Sequence, residues 1–222
     1  MKHSKKILAV VLCMLMMLTP LASVAGTVTV QAATQTVKVK KDQKTGNRYG
    51  YDKNNKKVTQ QWGVTASGYR YYFGKNGAAY QADPYMVGKY GILIKKIGTQ
   101  YYGFDVNGHT VKGIRVGRIN MYDAQKLYYS NPKTGAVDTK KTNLYRKYAA
   151  ASTMTKKNNA AKIKKVLGKY KKCTISKEDT CMLGGNGKDV TYVYDYVELN
   201  VVRPTGKGSS AEIVSSVSVR QG

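Results

Sequence analysis

Tyr101-Tyr102-Gly103-Phe104-Asp105-Val106-Asn107-Gly108-His109 reads as an aromatic strand closed by an Asn-Gly turn, with Val111-Lys112-Gly113 beyond it. The same order stands upstream in Gly68-Tyr69-Arg70-Tyr71-Tyr72-Phe73-Gly74-Lys75-Asn76-Gly77. It returns downstream in Leu127-Tyr128-Tyr129-Ser130-Asn131-Pro132-Lys133-Thr134-Gly135. A looser copy, Tyr49-Gly50-Tyr51-Asp52-Lys53-Asn54-Asn55, opens the series. One hairpin cannot bury its own face, so such copies must stack. The spacing of Tyr72, Tyr102 and Tyr129 is uneven, so some turns carry insertions. Asp83-Pro84-Tyr85 followed by Gly88-Lys89-Tyr90-Gly91-Ile92-Leu93-Ile94 reads as an extra strand. Ile114-Arg115-Val116-Gly117-Arg118-Ile119 plays the same part in the next interval.

Outward from the repeats, residues 33–46 are rich in Thr, Lys and Gln with Val37 and Val39 alternating, which makes them either a linker or a first edge strand. Before them, Lys2, Lys5 and Lys6 precede an apolar run from Ile7 to Leu18, and small residues follow. That pattern predicts a secretory signal peptide over residues 1–32, cleaved after Ala25 or after Ala32. Cys13 lies inside the apolar run and lacks the small residues a lipoprotein signal places before its cysteine. The expectation is a secreted or wall-associated protein with no membrane anchor after cleavage. The formal charge is +26, and the leader accounts for only three of the lysines, leaving +23 on the remainder. The excess comes mainly from Lys, which gives diffuse, salt-sensitive attraction to polyanions such as teichoic acids or anionic glycans. Basic charge with interleaved tyrosine also suits single-stranded nucleic acid, but export argues against a specific nucleic-acid partner.

Chemistry-bearing residues are few. Beyond the leader the one histidine is His109, next to the Asn-Gly turn. Asp105-Val106-Asn107-Gly108 alternates oxygens as a calcium loop does, but lacks the closing acid, and a hairpin turn accounts for the same residues. Glu178-Asp179 is the only adjacent acidic pair, and sequence neighbours rarely flank a glycosidic bond from two sides. No enzyme activity, metal or cofactor is expected. Cys173 and Cys181 make a disulfide pair in an oxidising compartment, contributing ~2–3 kcal/mol, or remain free thiols in a reducing one.

After about residue 140 the period changes. Leu144 to Ala151 reads as a short helix or linker, and Ser152-Thr153-Met154-Thr155 supplies cap-like residues. Ala160, Ile163, Val166 and Leu167 then share a helical face that Gly168 ends. Val190 to Val202 is strand-like and either reverses near Asp195 or runs on, in which case Tyr192, Tyr194 and Tyr196 share one face. A turn at Pro204-Thr205-Gly206-Lys207-Gly208 leads to alternation from Ala211 to Val219. The expected fold is thus a mainly β hairpin-repeat region over 47–140, β-solenoid-like, followed by a small α+β domain over 145–222.

The unit Gly-x-x-Tyr-Tyr-x-Phe-Asp-x-Asn-Gly-x-x-x-x-Gly, best matched by residues 98–113 and 68–77, resembles the choline- and glucan-binding repeats of exported Gram-positive proteins. The resemblance implies stacked hairpins whose rings cage a ligand. It nominates Trp62, Tyr71, Tyr72, Tyr101, Tyr102, Phe104, Tyr128 and Tyr129 as ligand-binding residues. In that family each choline cage draws on tryptophan, and Trp62 is the only one here, so the resemblance implies one choline site, near Trp62 and completed by Tyr71 or Tyr72. The same tyrosines are equally suited to fill the core between hairpins. The C-terminal part, a helix ending in Leu-Gly and then Cys- and Tyr-bearing strands, resembles the β-lactamase-inhibitor-protein and small outer-membrane lipoprotein folds. That likeness implies helices on one face of a sheet, a protein partner for 145–222, and no catalytic residue. Two functions follow: a wall- or glycan-binding protein with glycan or teichoic acid as partner, or a secreted interaction or inhibitor module in which the repeats are a spacer.

Overall fold

The computed structural model describes residues 34–149 and 159–221, which all belong to one compact unit, Ala32–Gly222. The leader reading and the cap at 152–155 lie outside the described residues. The chain is mainly β, in several small sheets, and no sheet among the described residues closes into a barrel.

The stretch expected as linker or edge strand is strand. β1 (Gln35–Thr36) runs parallel to β4 (Gln61–Val64), and β2 (Lys38–Lys41) forms a hairpin with β3 (Arg48–Tyr51). Val37 between them is 3% exposed, so this apolar residue anchors an otherwise polar segment. β5 (Arg70–Phe73) pairs antiparallel with β4, setting Trp62 opposite Tyr72 and Gly63 opposite Tyr71. Strand alternation then divides the rings: Tyr71 and Phe73 are buried on one face, and Arg70 and Tyr72 stand on the other.

Asp83-Pro84-Tyr85 is not strand. Asp83 accepts a hydrogen bond from the Tyr85 N–H and Pro84 stands in the first turn, which starts the short helix α1 (Pro84–Val87). The expected extra strands follow as β6 (Ile92–Ile97) and, after β7 (Gln100–Phe104), as β8 (Gly113–Arg118). With β9 (Lys126–Ser130) they form a four-stranded sheet in the order β7-β6-β8-β9.

Most of the turns close with the same device, the exception being the second unit, where Gly74 holds the acceptor's place and Asn76 accepts from Ala78 N–H instead. Asp105 Oδ1 accepts from the N–H groups of Asn107 and His109 at 2.8 Å each, and Gly108 adopts φ 79°, the left-handed region glycine enters freely. Asn131, Asp52 and Asp42 accept from following N–H groups in the same way. The residue after each turn then bonds back to the preceding unit: Ala79 N–H to Arg48 O, Thr110 N–H to Arg70 O, and Val137 N–H to Tyr101 O. Asp105→Ala removes both turn hydrogen bonds to Oδ1 and the contact of Oδ2 with His109 Nδ1 at 3.2 Å. We expect it to cost about 1–2 kcal/mol in denaturant titration, with Asp105→Asn costing less because the acceptor is kept.

The C-terminal part is helices on a sheet. α2 (Thr139–Ala149) and α3 (Asn159–Leu167) precede a meander of β10 (Lys172–Asp179), β11 (Gly187–Val193), β12 (Val197–Pro204) and β13 (Ile213–Val219). Gly168, at φ 77°, ends α3. Ala160 and Ile163 are fully buried, whereas Val166 is 36% exposed and lies off the inward face. The chain reverses at Tyr194-Asp195-Tyr196, so the three tyrosines form no row: Tyr192 and Tyr194 are buried and Tyr196 is 43% exposed at the hairpin. Ile114, Val116, Leu127 and Tyr129 from the last repeat pack in one core with Ile163, Val190, Tyr192, Leu199 and Val214. Repeat region and α+β part therefore share their largest apolar cluster.

Cys173 and Cys181 are both free, which corrects the expected disulfide. Cys173 lies near the start of β10 and Cys181 just past its end, and an extended strand of that length holds them on the order of 20 Å apart. A disulfide tolerates a Cα separation of only about 7 Å.

Candidate functional site

The rings nominated from sequence divide into four groups. Trp62 from β4, Tyr72 from β5, and Tyr102 and Phe104 from β7 meet in one cluster. The Trp62 ring meets Tyr72 edge-on at 5.2 Å and Tyr102 edge-on at 4.7 Å, and stacks with Phe104 at 6.3 Å. Tyr71 belongs to the opposite face, stacked on Phe73 at 6.0 Å, and cannot complete a site with Trp62. Tyr128 and Tyr129 are buried in the last two cores, Tyr128 beneath the Arg146 guanidinium at 4.5 Å. Of the nominated rings, Tyr101 alone is classed as exposed, at 40%.

The Trp62 cluster has the composition of a cation cage, and a cation already fills it. The Arg70 guanidinium carbon sits 3.8 Å from the Trp62 ring centre and 5.9 Å from that of Tyr102. Its Nη1 donates to Thr134 O at 2.8 Å, so the side chain is held from two sides. Burial pulls its pKa below the usual arginine value, yet a guanidinium remains charged at neutral pH. Arg70 precedes Tyr71 in the quoted motif, but nothing local in the sequence says that its partners are Trp62 and Tyr102.

A second constellation lies where the Asp105–His109 turn faces the β11–β12 hairpin. Tyr69, Lys89, Tyr90, Asp105, His109, Lys112, Arg115 and Tyr196 are among the residues lining a groove of about 490 Å³ there. Tyr69, 51% exposed, stacks flat on His109 at 4.0 Å. The Arg115 guanidinium lies 3.4 Å from the Tyr196 ring centre, and burial pushes its pKa down to about 10. Sequence reading missed this groove because its parts come from the residue before β5, the segment after α1, the turn after β7, β8 and the β11–β12 turn. The only local signal was cations and tyrosines interleaved along the chain.

The carboxylates are largely engaged within the fold. Asp179 pairs with Lys188, and Asp195 with Lys171. Glu212, fully buried, accepts from Arg203, from the Tyr192 hydroxyl and from Lys164. Burial and that carboxylate push the Tyr192 hydroxyl well above its ordinary value, and burial carries Tyr194 to about 12. Among the described residues no three His, Cys, Asp or Glu side chains are grouped as a metal site. No helix among the described residues is long and apolar enough to cross a membrane.

No family model matches the chain, and no curated protein matches it in sequence. Among solved structures it is similar to the multimodular pneumococcal cell-wall endolysin from phage Cp-1 complexed with choline, at 19% identity and TM-score 0.33 over 46% of this chain and 25% of that one. It is also similar to that modular endolysin complexed with a peptidoglycan analogue, at 14% identity and TM-score 0.35 over 82% of this chain and 38% of that one. Alternansucrase in complex with isomaltononaose matches at 15% identity and TM-score 0.33 over 77% of this chain and 10% of that one. The chain thus spans well under half the length of these structures.

Proposed function

We propose that this is an exported, non-catalytic protein that binds an anionic cell-wall or surface glycan through stacked aromatic hairpins and a basic surface. The observation that carries the reading is the interleaving of rings and cations along the fold. Lys40 lies over Tyr51, Lys57 over Tyr49, Lys89 by Tyr90, Arg115 over Tyr196 and Lys162 over Tyr148. A saccharide ring resting on such tyrosines places its acidic substituents beside an ammonium or guanidinium. Recurring backbone bonds between successive units support hairpins stacked as a solenoid-like spine.

The test is co-sedimentation of residues 33–222 with purified Gram-positive walls, intact and stripped of teichoic acid, across a salt series. We expect retention that weakens steeply between low and physiological ionic strength, as a net charge of this size dictates. Retention lost entirely on stripped walls would identify the anionic polymer as the target; partial retention would add the glycan itself. Absence of sedimentation at every ionic strength would overturn the reading.

A further inference from the structure

We propose that the groove between the Asp105–His109 turn and the β11–β12 hairpin binds an acidic saccharide unit, with Arg115, Lys112 and Lys89 holding its anionic group and Tyr69 and Tyr196 flanking its ring. This rests on the glycan-binding reading and assigns it a specific site.

The charge balance of the groove is one-sided. Its lining carries Lys89, Lys112 and Arg115 against a single carboxylate, Asp105. That carboxylate is already spent on the Asn107 and His109 N–H groups and on His109 Nδ1. Arg115 lies over the Tyr196 ring and donates through Nη1 to Ile114 O, and among the described residues no carboxylate comes within 4.0 Å of it. Asp105 and Asp195 act on it only from a distance. A largely desolvated guanidinium without a counter-ion is costly, and a bound anion offsets that cost with charge-assisted hydrogen bonds. Lys89 and Lys112 are exposed and able to turn toward the same group.

The rings suit a sugar. Tyr69 and Tyr196 are each about half exposed and line the groove from different elements. Tyr90 meets Tyr196 edge-on, with 71° between the ring planes, so these two form no parallel-walled slot for a planar base. A puckered saccharide needs no such slot. Asn107 accepts from Arg48 through its carbonyl at 2.7 Å, which orients its amide N–H groups as donors. The groove volume falls within the usual range for small-ligand sites. Because Tyr69, His109 and Arg115 come from the repeats and Tyr196 from the terminal meander, the site exists only where the two parts meet.

The experiment is an NMR and calorimetric titration of residues 33–222 with trigalacturonate, a phosphorylated trisaccharide and a neutral trisaccharide. We expect an acidic trisaccharide to shift the resonances of Thr110, Lys112, Arg115 and Tyr196, and the neutral one to leave them in place. Preference between carboxylate and phosphate forms identifies the acidic group. The fold-neutral variant Lys89→Ala/Lys112→Ala should bind about tenfold more weakly. Lys44→Ala/Lys56→Ala, which removes equal charge from exposed sites elsewhere, should change affinity less than about twofold. Arg115→Met should lose more, its folding checked by thermal melting. Equal losses in the two lysine pairs, equal binding of the neutral sugar, or no binding of either acidic probe would overturn the site. Wall retention unchanged in the groove variants overturns the site and leaves the glycan-binding reading standing; specific titration without wall retention does the reverse.

Discussion

Glu212→Ala is expected to lower the unfolding free energy by about 3 kcal/mol, among the largest single-residue effects in the fold. Glu212 is fully buried, just before β13, and its carboxylate gathers groups from three other elements. Arg203 from β12 donates through Nε at 2.9 Å and Nη2 at 2.7 Å, Tyr192 from β11 donates its hydroxyl at 2.9 Å, and Lys164 from α3 donates its ammonium. Removing the carboxylate leaves two cations and a hydroxyl facing a hole. Burying a charge without its partner is what makes breaking such a pair costly. Lys164 and Arg203 keep 21% and 25% side-chain exposure and can turn partly to water, which holds the loss toward the lower end of the range for buried pairs. Glu212→Gln keeps the shape and one acceptor but sets an amide donor against a cation, so about half the loss is expected. Urea titration checks both, through a shifted midpoint at unchanged slope. A loss below about 1 kcal/mol for the alanine variant would mean that solvent already satisfies the cations.

Glu212 also shows where sequence reading runs out. In Ala211-Glu212-Ile213 it reads as an ordinary surface acid at the start of an alternating strand. Its partners lie 9, 20 and 48 residues away, and only the packing of α3 against the meander brings them together. Local signals fared better. The turns after Asp52, Asp105 and Asn131 were legible because an Asx side chain and a left-handed residue act within four residues, whereas the like turn after Asp42 passed unread inside a segment taken as linker or edge strand. β6, β8, α3 and its glycine stop were legible for the same reason. Asp83-Pro84-Tyr85 was misread as strand although its cap-then-proline order is itself a local helix signal. The ring-rich motif located the hairpins but not the fate of each ring. Alternation puts Tyr71 and Tyr72 on opposite faces, and which face meets a neighbouring unit is a tertiary fact. The Arg115 groove was invisible since its two sides lie about eighty residues apart in the chain.

Arg70→Ala should open the Trp62 cluster to a quaternary ammonium ion. Trp62, Tyr72, Tyr102 and Phe104 supply the ring faces and edges of a cation cage, and the Arg70 guanidinium stands 3.8 Å over Trp62 where a ligand cation would sit. An internal cation has an effective concentration that free ligand at millimolar levels cannot match, so choline should leave the unaltered protein unmoved. Truncation removes that competitor and opens a space walled by Trp62 and Tyr102. Each ring face contributes about 0.5–2 kcal/mol to a desolvated cation, so millimolar affinity for choline or tetramethylammonium is expected. Trp62 is the only tryptophan in the chain and reports directly, through its fluorescence. The variant forfeits the bond to Thr134 O and the cation–π contacts with Trp62 and Tyr102, a stability cost of about 1–2 kcal/mol that thermal melting will show. Choline should restore part of that loss in the variant only. Arg70→Lys is the informative companion: an ammonium on a flexible stem still fills the cage, so it should stay blind to choline. If choline instead shifted Trp62 emission equally in the unaltered protein, Arg70 would not be holding the cage, and the rings would be open to solution. If the alanine variant folded yet ignored both ammonium ions, the rings would have closed over the gap, making Arg70 a packing element of the β5–β7 contact.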